Sequence, residues 1–129
     1  MYSQIISIVE NTLKTLGIEP EQAKTGEGQF NIYKDNNTEV LIDVWEENNR
    51  VFFQVVSPVI KLNNLNDTEL KMLLAENHGL VETSFALAND DIILKDTIEC
   101  SAFFNQERAI STITRVSFYC ELYKEKWNN

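Results

Sequence analysis

Glycine, proline, cysteine and histidine are all scarce in this chain of 129 residues, at four, two, two and one copies. Four glycines leave no room for a loop that cradles phosphate. Gly26-Glu27-Gly28 lacks the third glycine, the lysine and the preceding strand such a loop needs. Two cysteines, Cys100 and Cys120, do not make a disulfide framework and have no metal-like spacing. Both are expected to be reduced, with Cys120 a small buried hydrophobe. Long apolar runs are missing too. Ile5-Ile6-Ser7-Ile8-Val9 is too short for a signal core, and no window approaches the roughly 20 apolar residues of a membrane span. Positive charge is in short supply, with 11 lysines and arginines against 20 acids and a net charge of −9. Such a surface repels phosphate backbones and anionic headgroups, so nucleic-acid and membrane partners are not expected. A cytoplasmic location is the expectation.

Apolar residues are present in the usual amount. At 43% hydrophobic and 24% charged, the chain has the composition of a folded protein, and its length suits one domain over residues 1–129. The pattern is clearest between Thr38 and Ile60. Val40, Ile42 and Val44 alternate with Leu41, Asp43 and Trp45. After Glu46-Glu47-Asn48-Asn49, Val51, Phe53 and Val55 alternate with Phe52, Gln54 and Val56. Successive strand side chains face opposite sides of a sheet, so this reads as a hairpin with one fully apolar face. The other face is apolar with a polar residue at its centre.

The remaining elements follow in order. Tyr2, Ile6, Val9, Leu13 and Leu16 recur at spacings of three and four, predicting a helix over about residues 3–16, ended by Gly17. Residues 18–28 read as a surface connection. Phe30 and Ile32 mark a first strand that ends at Asp35-Asn36-Asn37, and Ser57-Pro58 is expected to close the third. Asn66 with Glu69 has the spacing of a reciprocal helix cap, followed by Leu70, Leu73 and Leu74 and stopped near His78-Gly79. Thr83 to Lys95 reads as a second hairpin turning at Asn89-Asp90. Ala109, Ile113, Val116, Cys120, Tyr123 and Trp127 predict a final helix from about residue 105. The expected class is α+β, in the order α-βββ-α-ββ-α. Its five-stranded antiparallel sheet carries the N- and C-terminal helices on one face.

Catalytic groupings are hard to find. His78 falls at a helix end, where a cation is favoured by the helix dipole, and no third residue marks a Cys100–His78 pair as a nucleophile with an oriented base. Glu46-Glu47 and Asp90-Asp91 fall in turns, where acids are ordinarily solvated. The expectation is a protein that is not an enzyme and uses neither cofactor nor metal. A cryptic enzyme built on Cys100 and His78 and a small-ligand sensor with an internal cavity are the alternatives.

If Val40, Ile42, Val44, Val51, Phe53, Val55, Phe85, Leu87, Ile92 and Leu94 face the terminal helices, then Tyr33, Leu41, Trp45, Phe52, Val56 and Ile93 share the opposite face. Fully burying one such side chain contributes on the order of 1.5–3 kcal/mol. Leaving six exposed therefore forgoes a sum comparable to a domain's whole stability. The face is either a partner-binding surface or is covered by the middle helix or a loop.

Four stretches carry a resemblance to a known family: Val55-Val56-Ser57-Pro58-Val59, Leu73-Leu74-Ala75-Glu76-Asn77, Phe85-Ala86-Leu87-Ala88-Asn89-Asp90-Asp91-Ile92 and the long last helix. With the order of elements, they resemble the YbjN-like proteins, whose fold is that of the type III secretion chaperones. That resemblance implies a small acidic homodimer that holds an unfolded client segment against apolar patches without ATP. The function implied is a chaperone- or adaptor-like protein-binding module.

Overall fold

The computed structural model describes residues 1–127; residues 128 and 129, which the expected domain includes, lie outside that range. Helix α1 (Tyr2–Thr15) buries Ile5, Val9, Thr12 and Leu13. Gly17, at φ 81°, reverses the chain so that its own N–H and that of Ile18 donate to the carbonyls of Lys14 and Leu13. Those bonds satisfy carbonyls that the helix end would leave open.

The connection after α1 is more ordered than its composition suggests. Pro20–Ala23 makes one helical turn, α2, and Lys24–Gly26 forms a short strand, β1, paired with β2 (Gln29–Lys34). The sheet therefore has six strands among the described residues, where five were expected. Strand β1 has no buried residue, so it is held by backbone pairing rather than by an apolar pattern. Gly28 closes the β1–β2 turn at φ 68°, and its carbonyl accepts from the N–H of Val44. A Cβ there would collide with the Val44 carbonyl oxygen and the Tyr2 hydroxyl.

The hairpin turns carry asparagine where φ is positive: Asn37 after β2, Asn48 and Asn49 between β3 (Thr38–Glu47) and β4 (Arg50–Lys61), and Asn89 between β5 (Ser84–Ala88) and β6 (Asp91–Cys100). Asparagine tolerates this region, and two such residues make the tight turn that suits a twisted hairpin. All pairings are antiparallel, in the order β1-β2-β3-β4-β6-β5.

Strand β4 runs past the expected stop at Ser57-Pro58. Its register with β3 ends at Leu41 opposite Val56, while β6 continues alongside with Pro58 opposite Ile93. Beyond Val56, then, the register pairs β4 with β6 only, and the missing proline N–H interrupts no β3 pair there. An irregularity between Pro58 and Ile60 shifts the register, and the Ser57 hydroxyl donates to the Glu39 carbonyl on β3.

Helix α4 (Gln106–Trp127) starts on Asn105, whose side-chain oxygen accepts from the N–H of Arg108. With α1 it covers one face of the sheet, and Val9, Leu13, Val40, Ile42, Phe53, Val55, Ile113 and Val116 meet there in full burial. Leu87 keeps the expected face, opposite Ile92, but on edge strand β5 it is left 58% exposed.

Helix α3 (Asp67–Asn77) has the anticipated cap, with the Asn66 side chain accepting from the Glu69 N–H and the Glu69 carboxylate from the Asn66 N–H. It lies beside β5 and the end of α4. Leu73 joins the core, Asn77 Oδ1 accepts from the Phe85 N–H, and the Tyr123 hydroxyl donates to Glu76 at 2.8 Å. The middle helix therefore does not cover the second face of the sheet.

Candidate functional site

The candidate site is the sheet face turned away from α1 and α4. Register alone assigns its occupants: Leu41 stands opposite Val56, Asp43 opposite Gln54, and Trp45 opposite Phe52. On the flanks, β2 adds Asn31 and Tyr33, while β6 adds Ile93, Lys95, Thr97 and Glu99. Along β3 and β4 the inner-facing residues are buried at nearly every position, while the outward ones are half-buried or exposed.

Five of the six sequence-derived candidates are open to a partner to some degree. Tyr33 and Leu41 are exposed, and Trp45, Phe52 and Val56 are half-buried by strand neighbours. Ile93 shares the face but is only 8% exposed, between Pro58 on β4 and Ala86 on β5. The six are not one continuous patch, because the polar pair Asp43 and Gln54 separates Leu41 and Val56 from Trp45 and Phe52.

At the aromatic end the rings of Trp45 and Phe52 are stacked, with centroids 5.4 Å apart and planes 22° apart. The Arg50 guanidinium lies 5.3 Å from the Phe52 centroid, fixed by two hydrogen bonds to Glu99 at 2.6 and 3.0 Å. This pairing draws the Glu99 carboxyl below its ordinary pKa. Cation and ring together hold Phe52 in one orientation. Elsewhere on the face, Thr97 donates to Gln54, and Tyr33 and Asn31 both donate to Glu39. Asp43 differs from its neighbours, since its carboxyl is pushed above the ordinary value by burial alone.

The groups that a catalytic reading would need lie elsewhere and are poorly poised. His78 is exposed at the end of α3. Cys100 is buried opposite Val51, and desolvation pushes its thiol up to about 11, so near neutrality it is not the thiolate a nucleophile requires. Burial also raises the Cys120 thiol, whose hydrogen points to the Pro58 carbonyl. Among the described residues, no group of three or more His, Cys, Asp and Glu could hold a metal ion, and no helix is long and apolar enough to cross a membrane.

One exposed apolar surface escaped the sequence reading. Phe118 and Leu122 stand four residues apart on the solvent side of α4, and Phe103 in the preceding loop is 89% exposed. Their signal was a second four-residue spacing offset from the core stripe Ala109-Ile113-Val116-Cys120, which the stronger stripe masks.

Neither a family model nor a curated protein matches the chain. Solved structures do. A structure of the ExsC–ExsE complex aligns at a TM-score of 0.74 and 13% identity, covering 98% of this chain and 96% of the matched one. The HopA1–SchA chaperone–effector complex aligns at 0.72 and 9%, covering 94% and 93%. YbjN from E. coli aligns at 0.58 and 12%, covering 93% and 89%. At these identities the likeness is one of fold, and the fold is the type III secretion chaperone-like one that the sequence resemblance implied.

Proposed function

We propose that this chain is a non-enzymatic, chaperone- or adaptor-like protein-binding domain that works in the cytoplasm and engages a segment of a partner protein through the outer sheet face. The observation that carries the reading is the partly exposed apolar surface itself: Trp45, Phe52, Leu41 and Val56 lie on strands whose opposite face is sealed, with no helix among the described residues over them. An apolar face that forgoes this much burial is characteristic of an interface. The pre-stacked Trp45–Phe52 pair suits a docking anchor, because rings already held in place lose little freedom on binding. The matched structures support the same direction: one is a chaperone–effector complex.

The proposed active form is a homodimer, assembled at the α3–β5 end. There Leu74, Met72 and Leu87 are exposed next to the last strand of the sheet, leaving the outer face free for the partner. Sedimentation over a wide concentration range tests this arrangement: wild type is expected to dimerise, and Leu74→Glu to sediment as a monomer.

The test of the docking face is the double substitution Trp45→Ala with Phe52→Ala. The expected outcome is an unchanged far-ultraviolet circular-dichroism spectrum together with loss of partner capture from native cells. A double variant that captures the same partner equally well removes the face from the account.

A further inference from the structure

The outer face is banded, and its bands limit what can lie on it. Three successive cross-strand pairs run along β3 and β4: Leu41 with Val56, Asp43 with Gln54, and Trp45 with Phe52. Side chains on one face of a strand recur every second residue, so the pairs are roughly 7 Å apart. The two outer pairs are apolar. Within the middle pair, Gln54 is engaged by Thr97. Asp43 has no ion-pair partner among the described residues, and Arg50, at the turn end of the same face, is committed to Glu99 and Phe52.

The outer face also carries two cations, Arg50 and Lys95, and among the described residues neither is ion-paired with Asp43. A half-buried carboxylate between two apolar pairs is costly to cover with an apolar or acidic group. A cation placed on it offsets that cost with a charge-assisted hydrogen bond. A second copy of this chain set face to face is disfavoured, because each subunit carries a net charge of −9 and two such surfaces repel.

Resting on the docking reading above, we infer that the occupant is an extended, basic partner segment. It presents a lysine or arginine to Asp43 between two apolar side chains that cover the Leu41–Val56 and Trp45–Phe52 pairs. An extended chain places residues i, i+2 and i+4 on one side at the same roughly 7 Å repeat. A helix advances about 4.5–6 Å between residues three or four apart and falls out of step over three pairs.

The test uses the full chain and two fluorescein-labelled synthetic peptides, Ser-Leu-Thr-Arg-Thr-Leu-Ser and the same peptide with Glu in place of Arg, followed by fluorescence polarisation. Wild type is expected to bind the arginine peptide on the order of tenfold more tightly than the glutamate peptide. Asp43→Asn is expected to remove most of that preference, and Asp43→Lys to invert it. Equal binding of the two peptides by wild type overturns the inference, as does a preference that Asp43→Lys leaves intact, or no binding of either. Binding that ignores the central charge but is lost in Trp45→Ala with Phe52→Ala sinks the charge assignment and leaves the docking face standing. Binding that survives the double variant unchanged sinks the docking face.

Discussion

Phe52 and Phe53 are neighbours in the chain and sit on opposite faces of the sheet. Phe53 is fully buried and packs its ring 5.1 Å from that of Phe104. Phe52 keeps solvent on one side and is held by Trp45 and Arg50. The strand treats both residues alike, and the difference lies in what the rest of the chain puts over each face. Two helices seal the inner one, whereas α3, which has the length to seal the outer one, lies beside β5. The inner face carries stability, and the outer face is left with apolar surface available to another molecule.

The largest expected effect separates the two faces directly. Phe53→Ala is expected to cost about 3–5 kcal/mol in urea unfolding, as a large core truncation does, whereas Phe52→Ala costs about 1 kcal/mol, the stacking and partial burial it loses. Equal losses would erase the distinction between the faces.

A smaller effect tests the helix that belongs to neither layer. Asn66→Ala removes the side-chain acceptor of the Glu69 N–H and is expected to cost about 1 kcal/mol, with α3 amides exchanging hydrogen sooner than those of β4. Uniform loss of protection across the chain would mean that α3 is integral to the core rather than appended to it.

The smallest effect concerns two carboxyls, one on each face. Asp96 points inward toward Arg115, and Asp43 outward; burial raises both above the ordinary 3.8, for Asp96 with Glu82 adding to the rise and Arg115 opposing it. A carboxyl with a raised folded pKa binds its proton more tightly in the folded chain. Its contribution therefore favours folding at low pH and declines as pH rises from about 3.8 through the folded value. Urea midpoints at pH 4 and pH 7 should show Asp96→Asn gaining on wild type at the higher pH. Glu82 and Glu99, both lowered by arginine pairing, act with the opposite sign, so the comparison is made against wild type at each pH. A difference that does not change between the two pH values would deny Asp96 this role.

The sequence was most legible where alternation or helical spacing is strong. The β3–β4 hairpin, the α3 cap and the long last helix emerge at or near their observed bounds because each has a local signal. Strand β1 has none, since its three residues are held by backbone bonds at an edge. The second half of β6 was hidden by Asp96, an acid in an inner-facing position whose partner Arg115 comes from another element. Pro58 misled because its penalty depends on whether the ladder with β3 still continues there. As for the site, alternation placed the six candidates on one face, but the stripe Leu70-Leu73-Leu74 could not say which surface α3 would meet. The polar band at Asp43 was visible as a residue and became meaningful only through register.

The most direct test is site-resolved photocrosslinking in the native cell, with a benzophenone side chain replacing Phe52 on the outer face in one variant and Leu122 on the back of α4 in another. A discrete protein adduct is expected from position 52, competed by excess unmodified chain and absent from position 122. Adducts at position 122 with none at position 52 would contradict docking at the outer face.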